Sequence, residues 1–282
     1  GRLPEIPYRV PGGSAANTVT GIAKLGLKAG LLTKVGDDES GTYYREALAA
    51  AGVDEHAFKL SADIATGACV ALVTPDSERT MRTFLGASAT MTPEDVSPED
   101  FEPYAYAHIE GYLLFNVALI QKVLVSATAA GCQVVLDLAA PEVVKANLEV
   151  LPSLLDEYVD VVLANEDEAA AFSDTRDERA ALDALGSHCG VAVVKLGARG
   201  ALIKRGGEDV VTVPAYTVKA VDTTGAGDLW AAGFLYGLLD GLELKKAGDI
   251  GARIAAEVIK ETGAVLPEEV WVRLRDDLQA TA

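Results

Sequence analysis

Cysteine is scarce in this 282-residue chain: Cys69, Cys132 and Cys189 are its only three, and they lie far apart. They cannot all pair and lack the close spacing of a metal cluster, so they read as the reduced thiols of a cytosolic protein. Histidine is equally sparse, and His56, His108 and His188 show no metal-ligand spacing; all three are expected to be structural or exposed. Positive charge is in short supply, with 24 Lys and Arg against 42 Asp and Glu and a formal net charge of −18. Such a chain is repelled by nucleic acid and by anionic membrane surfaces in general. A nucleotide ligand is not excluded, because a phosphate site needs only local N–H groups, a metal and one or two cations. Long hydrophobic runs are absent, each being broken well before the ~18 residues of a membrane span. The opening residues show no apolar core of a signal peptide, and a cytoplasmic location is expected. The sequence has no Gly-x4-Gly-Lys-Ser/Thr string and no Gly-x-Gly-x-x-Gly after its first expected strand, which excludes a P-loop kinase and weighs against a dinucleotide enzyme.

Half of the residues are hydrophobic and only 6% are aromatic. Alanine, valine, leucine and glycine dominate, a composition that suits a parallel sheet wrapped in helices. Helices are expected over 15–25, from the turn at 36–38 through 50, and over 117–130, and strands over 30–35, 107–110, 133–137, 159–164 and 191–195. Segments 201–204 and 210–213 read as an antiparallel pair, and the last third is helical, with breaks at Gly241, Gly263 and Pro267. Strands alternating with helices predict an α/β fold, a doubly wound, mostly parallel sheet with helices on both faces. Segment 53–87 departs from that rhythm. Residues 68–73 and 79–84 read as two strands around the turn 74–78, a hairpin without an intervening helix. It is expected to project as a small sheet, the alternative being an edge hairpin of the main sheet. The expected division is therefore 1–52 with 88–282 as the main domain and 53–87 as an insertion.

The most informative segment is Val221-Asp222-Thr223-Thr224-Gly225-Ala226-Gly227-Asp228, followed by an apolar run through Leu235. A helix that opens on glycines presents backbone N–H groups with nothing bulky before them, which makes an anion site. Asp228 in its first turn has two readings: it complements the helix dipole, or it is a general base beside a phosphoryl group. Asn165 and Glu168 follow a strand three residues apart and share a helix face. They read either as an N-cap asparagine with a first-turn acid, or as oxygen ligands suited to hydrated Mg²⁺. Asp137, Asn165 and Lys195 all end predicted parallel strands, the edge at which open α/β sheets bind ligands.

Four further strings stand in order with this segment: Gly12-Gly13-Ser14-Ala15-Ala16-Asn17-Thr18, Val35-Gly36-Asp37-Asp38, Asn165-Glu166-Asp167-Glu168 and Lys195-Leu196-Gly197-Ala198-Arg199-Gly200. The ordered set resembles the ribokinase/PfkB family of carbohydrate and nucleoside kinases, from Gly12 to about Val265. The resemblance implies an ATP-dependent kinase acting on a primary hydroxyl, with ATP and Mg²⁺ as cofactors and a monovalent cation as an optional addition. It assigns Asp228 as base and the Gly225, Ala226 and Gly227 turn as anion hole. Asn165 and Glu168 would organise magnesium waters; on the nucleotide side Lys195 would touch phosphate or ribose, and Gly197 and Gly200 would leave room for the nucleotide. Asp222 would order the anion-hole loop or serve a cation site. Gly12, Gly13 and Asn17 would bind substrate hydroxyls, where the residues alone read as a tight turn with a helix cap. Glu110 reads as another hydroxyl contact or as a surface acid, and the 53–87 hairpin as a lid.

The run 79–87 and the stretch Glu110-Gly111-Tyr112-Leu113 look most like the adenosine-kinase-like branch, which places a nucleoside ahead of ribose or fructose. The family's first strand, with its substrate-binding aspartate, has no counterpart in the eleven residues before Gly12, so the sequence is expected to lack that strand. A non-catalytic sugar- or nucleotide-binding regulator on the same fold is the competing function. The expected partners are a small sugar or nucleoside and ATP, with a monomer or a homodimer through the lid.

Overall fold

The structure, a computed structural model, describes residues 9–73 and 79–280, apart from the side chains of 71–73 and 79–80. Helix α1 (Ser14–Lys24) opens it, followed by strands β1 (Ala29–Gly30) and β2 (Thr33–Gly36), helix α2 (Glu39–Ala50), and strands β3 (Val53–Asp54) and β4 (Phe58–Ser61). Strands β5 (Ala68–Val73) and β6 (Arg79–Phe84) come next. The alternating region runs through β7 (Tyr106–Glu110), α3 (Val117–Ala129), β8 (Gln133–Asp137), α4 (Pro141–Ala146), α5 (Leu151–Tyr158), β9 (Val161–Asn165), α6 (Glu166–Ser173), α7 (Glu178–Gly186) and β10 (Val191–Lys195). Strands β11 (Ala201–Arg205) and β12 (Val211–Val213) precede the C-terminal helices α8 (Ala226–Leu239), α9 (Leu244–Val258) and α10 (Glu268–Ala280).

Among the described residues the main sheet has six strands in the order β12-β11-β10-β9-β8-β7. Strands β7 to β10 run parallel, and β11 and β12 add an antiparallel edge. Alternation along the central strands splits the core in two. Val134, Leu136, Val162, Ala164, Ala192 and Val194 pack toward α3 to α7. Val135, Val161, Leu163, Val191 and Val193 pack toward Ile22 of α1, Ala231, Phe234 and Leu235 of α8, and Ala247 of α9. Side chains on successive residues of a strand point to opposite faces, so near-continuous apolar strands bury both faces of the sheet. The doubly wound, mostly parallel arrangement expected from the sequence is the one observed.

The expected strand over 30–35 is split into β1 and β2, which pair in parallel with β3 and β4 as two small sheets. The break follows Gly30, where the Tyr104 ring occupies the space a side chain would need. Strands β5 and β6 pair antiparallel with each other, Ala68 opposite Phe84, and with no other described strand. The turn expected at 74–78 lies outside the described residues. At the root of this hairpin, the Thr66 hydroxyl and N–H donate to the two oxygens of Asp38 at 2.7 and 2.8 Å. Asp38 also caps α2 by accepting from the Gly41 N–H at 2.7 Å, so one carboxylate ties the hairpin root to α2.

Candidate active site

The same alternation that divides the core gathers the polar strand ends. Glu110, Asp137, Asn165 and Lys195 each end a parallel strand and fall on the α1–α8 face. Glu110 stands opposite Asp137 in register, and Lys195 opposite Asn165. The face is closed by the crossing of α1 and α8, which pack so tightly that a β-carbon on Gly21 would stand 2.7 Å from Ala232 Cβ.

Helix α8 begins at Gly225, whose φ of 73° is the left-handed conformation that glycine adopts without strain. A β-carbon there would also sit 2.3 Å from Ala264 Cβ. The Leu229 N–H bonds back to the Gly225 carbonyl at 2.8 Å and the Ala226 N–H to the Thr223 carbonyl at 3.2 Å. The Gly227 and Asp228 N–H groups lie in the first turn, where donors have no intrahelical acceptor. Asp222 orders the loop before the helix: one oxygen accepts from the Thr224 N–H (2.9 Å) and hydroxyl (2.6 Å), the other from the Gly263 N–H (2.9 Å).

Asp228 is held from α1. The Ser14 hydroxyl donates to Oδ1 at 2.7 Å and the Asn17 amide to Oδ2 at 2.8 Å. Burial raises its carboxyl above the usual range, and the Asn17 and Ser14 hydrogen bonds oppose that shift. Asn17, predicted as a substrate residue, thus grips the predicted base, and Ser14 emerges as a second clamp that sequence reasoning did not single out. Gly13 caps α1 with φ 113° and accepts from the Asn17 N–H at 2.9 Å. Gly12 is exposed, and its carbonyl accepts from the Tyr44 hydroxyl at 3.1 Å. Glu110 is raised by burial and then lowered again by the Ala15 and Ser14 N–H groups, with Asp228 close enough to raise it further. It sits at the start of α1, inside the site rather than on the surface.

Asn165 and Glu168 form a reciprocal cap on α6. The Asn165 oxygen accepts from the Asp167 and Glu168 N–H groups, while Glu168 accepts from the Asn165 N–H at 2.7 Å and its amide at 2.6 Å. Glu168 is only 3% exposed. Burial, then the charge of Asp137, pushes its carboxyl up to about 7. Lys195 donates to Asp137 at 2.7 Å, and Asp137 also accepts from the Ala139 N–H at 3.1 Å. His108, two residues before Glu110, has a buried Nδ1 without a hydrogen-bond partner. Burial pushes its imidazole down to about 4, so it is neutral. His108 and Asp137 therefore belong to the site's electrostatics; only their places on neighbouring strands, not their own spacing, could have indicated it.

Gly197, at the turn between β10 and β11, is exposed and has open space where a side chain would point. Gly200 is different. It is buried, with φ 95°, and a β-carbon there would stand 1.9 Å from the Val213 carbonyl oxygen. Its glycine is explained by packing against β12, with no nucleotide needed.

The carboxylates of Glu110, Asp137, Glu168 and Asp228 crowd around one lysine and a helix start. Three of the four are raised above their ordinary values. Such a donor set suits a hydrated dication accompanying phosphates. Among the described residues no three His, Cys, Asp or Glu side chains are grouped to hold a metal ion. A hydrogen-bonded carboxylate thus stands beside first-turn N–H groups at the carboxyl edge of a parallel sheet, an arrangement suited to an anionic ligand.

The chain belongs to the pfkB family of carbohydrate kinases, whose profile matches residues 7–271. It is 32% identical over 290 residues to an adenosine kinase of Saccharomyces cerevisiae, covering 95% of this chain and 83% of that protein. It is 31% identical over 247 residues to a fructokinase of Klebsiella pneumoniae, covering 81% of this chain and 76% of that protein. The crystal structure of adenosine kinase from Sinorhizobium meliloti superposes with a TM-score of 0.85 at 34% identity, covering 96% of this chain and 83% of that one. The protein is thus a kinase with an alcohol group of a sugar or nucleoside as acceptor, and kinases of this family use ATP with Mg²⁺.

Proposed function

We propose that the acceptor is a nucleoside of the adenosine type, phosphorylated on its primary hydroxyl with Asp228 as general base. The observation that carries the catalytic part is the Asp228 carboxylate, fixed by Ser14 and Asn17 at the open start of α8. Asp228 accepts the hydroxyl proton as the oxygen attacks, and the N–H groups of Gly227 and Asp228 receive the charge of the transferring phosphoryl, the Ala226 N–H being held by the Thr223 carbonyl. Mg·ATP supplies that phosphoryl and screens its charge. Asn165 and Glu168 face the metal's water shell, and Gly197 leaves room for the nucleotide. Glu110, Asn17 and the Gly12–Gly13 turn bind the acceptor's hydroxyls.

The nucleoside assignment rests on exposed apolar side chains. Met81, Phe84 and Leu85, on and just after the hairpin, are all more than half exposed, and Tyr112, beside Glu110, is 50% exposed. The hairpin acts as the lid; alternation puts Met81 and Phe84 on opposite faces of β6, so only one of these two covers the base. Burying roughly 100 Å² of apolar surface is worth about 2–3 kcal/mol at ~25 cal/mol per Å², a gain a bare sugar lacks. The similarity to adenosine kinases supports the same reading. A competition assay with adenosine, ribose and fructose under Mg·ATP tests it. Adenosine is expected to show the highest kcat/KM; ribose or fructose outpacing it would return the acceptor to the sugars.

A further inference from the structure

Two charged side chains near the anion hole have no part in the mechanism above. Lys195 ends β10 and Asp137 ends β8; they meet at 2.7 Å, and their side chains are only 15% and 13% exposed. Between these strands lies β9, so the pair bridges the sheet face just below the start of α8. The Lys195 ammonium lies 3.5 Å from the point where a β-carbon on Gly227 would stand. It is therefore against the first turn of α8, beside the N–H groups of the anion hole. An ammonium carries three donors. One is used on Asp137, and no other hydrogen bond of the Lys195 ammonium is formed among the described residues. The two remaining donors are held out of bulk water and close to where the transferred group must pass.

Asp137 is itself braced. Its second oxygen accepts from the Ala139 N–H, and Ala139 holds φ 65°, a left-handed conformation uncommon outside glycine. Its main chain is packed from the other side, since a β-carbon on Gly111 would lie 2.7 Å from the Asp137 carbonyl oxygen. Strain of this kind persists where surrounding structure enforces it, and here it aims one carboxylate at one lysine.

We propose that Lys195 completes the anion hole by contacting the terminal phosphoryl of the nucleotide, and that Asp137 is the positioning residue that holds it there. The inference rests on the kinase reading of this site but not on which acceptor it takes. It separates Lys195 from a ribose contact, because a lysine against Gly227 faces the transferring group rather than the nucleoside end.

Calorimetric titration with Mg·AMP-PNP and with Mg·ADP tests the proposal without turnover. Lys195→Met and Asp137→Asn are each expected to weaken Mg·AMP-PNP about tenfold or more and Mg·ADP less than about twofold. Because Asp137 acts through Lys195, the double variant should bind Mg·AMP-PNP no more weakly than Lys195→Met alone, a non-additivity that independent sites do not show. Equal weakening of both nucleotides, or a double variant whose loss is the product of the two, overturns the proposal. Each single variant leaves one member of the pair buried without the other and can lose its fold; the double variant removes both members together. If only the double variant folds, it must still have lost the preference for Mg·AMP-PNP over Mg·ADP, and a preference equal to the wild type's overturns the proposal. Failure of the nucleoside reading appears elsewhere, in the acceptor competition, and leaves these titrations unchanged.

Discussion

Replacing Asp228 by Asn removes the proton acceptor while keeping nearly the same shape. The wild-type carboxylate accepts from Ser14 on one oxygen and from Asn17 on the other. An amide at 228 keeps one acceptor and turns the second position into a donor; the Ser14 hydroxyl can rotate to accept from it. The packing should therefore survive. The carboxyl is raised above its ordinary range by burial, so the folded state holds its proton more tightly than the unfolded chain. For an acid shifted this way, stability is greatest below the unfolded value and is lost as pH rises through the folded one. At pH 7 the charge is a net liability, and Asp228→Asn should leave Tm unchanged or higher. Turnover should fall by at least ~10²-fold, the low end for a positioned general base, which equals about 2.7 kcal/mol of barrier. Coupled detection of ADP release gives kcat and KM for ATP, and a melting curve gives Tm. Turnover within about threefold of wild type, at unchanged ATP affinity, would refute the assignment of Asp228 as base.

Burial and then the charge of Asp137 push the Glu168 carboxyl up to about 7, so it gains its proton as pH falls through that region. The Mg²⁺ concentration for half-maximal rate should therefore rise as pH falls through 7, and Glu168→Gln should show the raised requirement at every pH; an unchanged magnesium titration returns the residue to helix capping alone. His108 is pushed from 6.5 down to about 4 by burial, so the unfolded chain takes up a proton there before the folded one. Stability is lost as pH drops from 6.5 toward 4, by up to about 1.4 kcal/mol per pH unit. His108→Leu should flatten that decline in chemical denaturation, and an identical slope would contradict the buried neutral histidine. Gly200→Ala forces a side chain into a left-handed position against the Val213 carbonyl. It should cost at least about 1–2 kcal/mol of stability with nucleotide affinity intact; lost affinity at full stability would make Gly200 a nucleotide contact.

The strands of the main sheet were legible because buried parallel strands are written as short, nearly continuous apolar runs. The expected 133–137, 191–195 and 107–110 differ by at most one residue from β8, β10 and β7. Strands β1 and β3, two residues each, exist only through pairing across 24 positions and have no local pattern to read. Asn17 and Asp228 were each visible from their own strings. That they touch, 211 positions apart, depends on the crossing of α1 over α8. Ser14 was hidden in the same string because a serine at a helix start reads first as a cap. The Asn165–Glu168 motif stood out, and the structure forms the capping arrangement that its spacing also allowed. Asp137 was visible as a strand end, but its partner Lys195 lies two strands away, a distance that no periodicity encodes.

A crystal structure with adenosine and Mg·AMP-PNP bound tests the account most directly. It should place the primary hydroxyl of the nucleoside within about 2.6–3.2 Å of an Asp228 oxygen, with the terminal phosphoryl over the N–H groups of Gly227 and Asp228. A hydroxyl held away from Asp228, or a phosphoryl bound elsewhere than at the start of α8, would contradict it.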